Sequence, residues 1–150
     1  MSHTTTVETI IFTDIEALRA AIADLNQQGV RCELREQAVP RGYYQEQAGL
    51  EQAPYVIYLP DSRYDVGLYP RRNGQPGYVP RADFFSGQIA CQLGVTPQGT
   101  DQAAQEQAAL GKLNQAYAIQ ASFQQALRQG YQVYRVDQED GTVQLRVSVH

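Results

Sequence analysis

A chain of 150 residues with a formal net charge of −4 and a pI near 5.1 is long enough for one core, burying roughly 70% of the surface its unfolded form exposes. Lys and Arg number 12 against 16 Asp and Glu, which excludes a general nucleic-acid binder, whose affinity rests on surplus cations facing phosphates. No apolar run approaches the roughly 18 residues of a membrane-spanning helix.

The opening "MSHTTTVETIIF" has neither the basic lead nor the long apolar stretch of a secretory signal, which points to an intracellular protein. Within it "VETIIF", residues 7 to 12, is apolar and rich in β-branched side chains and predicts a strand. "TDIE" then offers Thr13 with Glu16 three residues on, the pattern of a capping box. Ile15, Leu18, Ile22 and Leu25 fall on one face of the helix that follows, and Gly29 is placed to end it in a left-handed conformation. "VRCEL" reads as an alternating strand, so the chain starts β-α-β. Cys32 alternates with Val30 and Leu34 there, which suits a small core residue better than a nucleophile.

After a loop rich in turn formers, "YVIYL" (55 to 59) suits a central strand covered on both faces. "YDVGLYP" returns as a second strand with Val66 and Leu68 on one face. Asn73-Gly74 is the strongest short turn signal in the chain and predicts a hairpin closing through "GYVPRADFF". Pro70, Pro76 and Pro80 are expected to confine these pieces to an edge or to loops, because proline cannot donate to a sheet ladder.

"FSGQIACQLG" carries a short helical signal, and the Gln-rich stretch near 95–110 reads as a connector or insertion without a core-facing stripe. A second principal helix is expected over 112–129, with Leu113, Ala116, Tyr117, Phe123 and Leu127 as its apolar face and Gly130 as its stop. The chain then finishes on a hairpin, "YQVYRV" and "TVQLRVSV", joined by "DQEDG", which fits a turn far better than a calcium loop. Val143, Leu145, Val147 and Val149 alternate along the last strand. The whole predicts a single α+β domain over 1–150, a mainly antiparallel sheet with two principal helices, a β-α-β start and an α-β-β finish.

No residue pattern commits to a reaction. Gly-rich phosphate loops and the GxSxG elbow are missing, and the only histidines, His3 and His150, lie at the ends, away from Cys32 and Cys91. Neither a protein-built metal site nor a cofactor is expected. Asp61, Asp65 and Asp83 could serve a carboxylate enzyme, but their spacing sets no common face. One segment concentrates binding chemistry. Arg63, Arg71, Arg72 and Arg81 are four of the chain's 12 cations, and Tyr64, Tyr69 and Tyr78 are interleaved with them. Tyr64, Tyr69, Arg71, Arg72, Tyr78 and Arg81 are therefore the candidate interaction surface, since Tyr and Arg bury large area and keep a polar handle. The same residues could instead stack and neutralise single-stranded RNA, or the prolines and tyrosines could simply cap a sheet edge.

"MSH" at the start, "RGY" at 41 to 43, "YDVGLY" at 64 to 69, "ADFF" at 82 to 85, "LNQAYA" at 113 to 118 and the closing "DGTVQLRV" occur in an order that resembles a family of hypothetical chloroplast reading frames, number thirty-five in the plastid series. The resemblance spans nearly the whole chain. It marks a divergent member, with Phe84 and Phe85 where the family often has Trp and Thr4 where it has an aromatic residue. It implies a small non-catalytic accessory protein of the cyanobacterial cytoplasm or plastid stroma, working in assembly or regulation. An AAA-type ATPase and a ferredoxin-like protein are the partners it suggests. A small-molecule-binding protein remains a further alternative.

Overall fold

In a computed structural model, which describes residues 4–41, 51–84, 88–95 and 102–148, the chain is α+β. Helix α1 (Ile15–Gln27) follows a short strand β1 (Thr4–Thr6). Strands β2 (Glu33–Ala38), β3 (Ala53–Tyr58), β4 (Val66–Pro70) and β5 (Tyr78–Asp83) come next. Helices α2 (Gln88–Gln92), α3 (Gln102–Ala109) and α4 (Gly111–Arg128) precede the final hairpin, β6 (Gln132–Asp137) and β7 (Val143–Ser148). Five strands pair antiparallel in the order β1-β5-β4-β3-β2, and β6 and β7 form a separate two-stranded sheet.

The strand expected over 7–12 is displaced to 4–6. Val7 N–H still donates to Pro80 C=O, and Phe12 exchanges both backbone bonds with Tyr78, so residues 8–11 bulge out opposite Val79 alone. That bulge accounts for a second departure. Pro80 lies in β5, an interior strand, and not at an edge. Its carbonyl accepts from Val7 N–H, so its missing N–H lies on that same side, where the ladder already breaks for the bulge. The loop-out also drives Val7, Ile10 and Phe12 into the core.

Helix α1 starts on Asp14, not Thr13. Asp14 is extended (φ −120°, ψ 104°) and its carboxylate accepts from Ala17 N–H at 3.1 Å, so the expected capping box does not form. This bond and an ion pair with Arg128 at 2.6 Å lower the Asp14 pKa below its ordinary value. Leu18, Ile22 and Leu25 are buried as their spacing requires, and Gly29 closes the helix at φ 91°. The N-terminus of α1 is also clamped from outside. Tyr117 on α4 accepts from Thr13 N–H (2.9 Å) and Asp14 N–H (3.0 Å) through its hydroxyl, while its ring meets Phe12 edge-on at 4.9 Å. Tyr117→Phe keeps the ring and strands two backbone donors, so urea unfolding should show a loss of about 1–3 kcal/mol. An unchanged midpoint would mean water serves those donors equally well.

Helix α3 lies within the Gln-rich stretch near 95–110, and Glu106, Ala109 and Leu110 are buried toward its C-terminal end. On α4, Leu113, Ala116 and Tyr117 are buried, whereas Phe123 is half-exposed and Leu127 is 45% exposed. Helix α1 has 13 residues and α4 has 18, so the shorter cannot cover the longer throughout. Cys32 is buried in the core cluster, and burial pushes its thiol up to about 11, which suits a packing role.

Candidate functional site: an arginine-lined cleft on the sheet

Strand alternation decides which side of the sheet each candidate residue occupies. Val66 and Leu68 point into the core with Ile57, while Gly67 and Tyr69 face the opposite side. Their partners across the ladder, Arg81 beside Gly67 and Val79 beside Tyr69, share that outer face. The hairpin closes as the Asn-Gly signal predicts. Asn73 (φ 62°) and Gly74 (φ 69°) both take the left-handed conformation, and Arg71 N–H donates to Gly77 C=O.

The result is an open cleft of about 600 Å³, whose lining includes Tyr69, Arg71, Arg72, Arg81, Glu8 and Glu51. Tyr69 forms its floor. Its hydroxyl donates to Glu51 C=O at 2.7 Å, Arg81 stands over its ring at 5.5 Å, and burial raises its pKa, so the phenol is a neutral donor at physiological pH. Gly67 is required beneath it, because a Cβ there would lie 2.6 Å from both the Tyr69 ring and Pro40. Arg71 donates to Pro76 C=O at 3.3 Å, and among the described residues neither Arg71 nor Arg72 has a carboxylate within ion-pair distance. Among the described residues the lining carries three guanidinium groups and two carboxylates, a basic concavity in an acidic protein. Such a site can take an anionic group by charge-assisted, bidentate bonding.

Four of the six candidate surface residues thus come together, and two do not. Tyr64 is 2% exposed and belongs to the core. Tyr78 turns inward as well, packing edge-on against Tyr55 at 5.3 Å. In both, the phenol serves the fold. Two of the three aspartates are committed to arginines elsewhere. Asp61 is bonded to Arg31 at 3.0 Å, and Asp65 is buried against Arg41. No group of three Asp, Glu, His or Cys side chains among the described residues could hold a metal, and the 138–142 turn is held by Asp140 accepting from Thr142.

Sequence reasoning missed the most strongly bonded polar pair. Asp65, 1% exposed, accepts from Arg41 Nε and Nη2 at 2.9 Å, from Arg41 N–H at 3.0 Å and from Leu59 N–H at 3.2 Å. Arg41 also donates to Leu59 C=O, and Asp65's hydrogen bonds raise the Arg41 pKa further. Arg41 shares the Tyr58 ring with Arg35, at 4.6 and 3.5 Å. A signal existed: Arg41 opens "RGY" and Asp65 lies in "YDVGLY", so two of the short motifs meet here.

Fold and cleft together define an α+β protein with a basic, aromatic groove on the outer face of its sheet. No protein-family model matches the chain, and no solved structure matches it. Part of it is similar to the threonine–tRNA ligases of Clostridium perfringens strain SM101 and strain 13, at 33% identity over 68 residues. That stretch is 43% of this chain but 11% of each ligase, so the chain spans only a small fraction of the relatives it matches.

Proposed function

We propose that this protein is a non-catalytic accessory module that binds an acidic segment of a protein partner in the Tyr69–Arg71–Arg72–Arg81 cleft. The observation that carries the reading is the convergence of three arginines on one tyrosine-floored concavity in a chain of net charge −4. The resemblance to the plastid reading-frame family supplies the setting, a cyanobacterial cytoplasm or plastid stroma. It also supplies the candidate partners, an AAA-type ATPase or a ferredoxin-like protein. Among the described residues no helix is long and apolar enough to cross a membrane, which agrees with a partner met away from the bilayer core.

Single-stranded RNA is the second reading, and the partial likeness to the threonine–tRNA ligases favours it. Against it stands the loss of two stacking residues, Tyr64 and Tyr78, to the core. Only Tyr69 remains, with Arg81 already over its ring.

Arg71→Glu with Arg72→Glu should leave unfolding free energy within roughly 0.5 kcal/mol of wild type, since Arg72 is exposed and half-buried Arg71 makes one long hydrogen bond, to Pro76 C=O. Binding to the ATPase or the ferredoxin-like protein of the same organism should fall at least tenfold, about 1.4 kcal/mol. Polyuridylate run in parallel separates the readings. If wild type retained RNA and neither protein, and lost it in the double variant, the cleft would be a nucleic-acid site. Unaltered capture of a protein partner by the folded variant would remove the cleft from the interface.

A further inference from the structure

We infer that β7 is a dimer edge: a second copy of this chain adds its own β7 alongside, turning two hairpins into one four-stranded sheet. The inference starts from an incomplete layer. Strands β6 and β7 pair only with each other, and such a hairpin, marginal by itself in water, is held here by its packing on α4. Its inner face, with Val133, Arg135, Val143 and Leu145, lies toward α4 and is tied to α1 by Arg135 donating to Asp24 at 3.0 Å. Yet that face is only half-buried.

Exposed apolar area concentrates in the same place. Among the described residues four large apolar side chains stand exposed, and three of them are on the hairpin or the end of α4 that leads into it: Val147 (50%) on the Leu145 face, Tyr134 (57%) on the opposite face and Leu127 (45%) on α4.

Two of the open strand edges differ in kind. Strand β2, at the rim of the five-stranded sheet, carries Glu33, Arg35 and Glu36, the charges that discourage edge pairing. Strand β7, Val143–Ser148, carries one charge, Arg146, and three apolar residues in alternation. Among the described residues no strand lies along its outer edge.

A second copy fits that edge by register and by spacing. With a two-fold axis at Leu145, each Leu145 meets its counterpart, Val143 lies opposite the second copy's Val147, and Gln144 lies opposite the second copy's Arg146. No like charges oppose one another. Neighbouring strands stand about 4.8 Å apart, so the two hairpin midlines are two spacings, about 10 Å, apart. Each α4 packs on both strands of its hairpin, so the two α4 helices arrive side by side at about the 8–10 Å of a helix–helix contact. One operation therefore extends the sheet and doubles the helical layer above it. The symmetry closes, which favours a discrete dimer over a fibre.

Sedimentation velocity of the full chain across a concentration series should show reversible association to twice the 16.7 kDa chain mass. Val147→Lys, at a position half-exposed in the single chain, should raise the dimer dissociation constant at least tenfold with the circular dichroism spectrum intact. Leu145→Cys with Cys91→Ser gives an independent reading, because directly opposed residues of antiparallel strands can reach disulfide distance. Mild oxidation should yield a covalent dimer linked through position 145. A wild-type chain monomeric throughout would overturn the inference. So would a dimer that survives Val147→Lys and forms no disulfide at 145, since another surface would then hold it. If Val147→Lys fails to fold, the cysteine variant decides alone: cross-linking supports the edge, its absence refutes it.

Discussion

Replacing Arg41 by Ala should destabilise the fold by about 3–5 kcal/mol, the cost of stranding a buried charge. Asp65 is 1% exposed, and half of the hydrogen bonds it accepts come from the Arg41 guanidinium. Without that group its carboxylate keeps two backbone donors and no counter-charge. Position 41 also ties three pieces of chain, since its Nη2 bonds Leu59 C=O, its own carbonyl accepts from Asp65 N–H and its guanidinium covers the Tyr58 ring. The measurement is urea unfolding with a common slope. Arg41→Met with Asp65→Leu should recover at least half of the loss, because the double change leaves no stranded charge. A single variant within about 1 kcal/mol of wild type would show that water reaches Asp65 and replaces the arginine.

Legibility in the sequence followed the range of the interactions. Helix α1, the Asn73-Gly74 turn and the alternating Val66 and Leu68 rest on neighbours within a few residues, and each was readable. Arg41 and Asp65 are 24 positions apart, and no local rule joins them. The bulge at 8–11 was hidden because "VETIIF" is apolar throughout. Such a run is buried either as a ladder or as a loop pressed into the core, and the choice was made by Tyr78 and Pro80 on β5. The cleft was half legible. Arg71, Arg72, Arg81 and Tyr69 could be proposed from their density around a turn. Distinguishing Tyr69 from Tyr64 and Tyr78 required knowing which strand face each occupies, and Tyr64 precedes the strand in a turn held by Ser62.

Burial depth separates two residues that apolar periodicity treats alike, and truncation should expose the difference. Phe12→Ala should cost about 3–5 kcal/mol, because the ring is fully buried, sits beside Leu18 in the core cluster and loses its edge-on contact with Tyr117. Leu18→Ala belongs with it, at about 2–5 kcal/mol. Alternation with Val143 and Val147 alone would rank Leu145 with Leu18, but Leu145 is only half-buried in a two-stranded sheet. Half of the roughly 1.5–3 kcal/mol for burying a leucine leaves about 1 kcal/mol for Leu145→Ala in the single chain. Association at β7 adds a condition. In a dimer centred on Leu145 the loss should grow with protein concentration, whereas the Phe12→Ala loss should not, because Phe12 lies under α1 and α4, away from that edge. Chemical denaturation of both variants at low and high concentration tests this directly, and equal losses for the two would mean that the hairpin face is as deeply packed as the core.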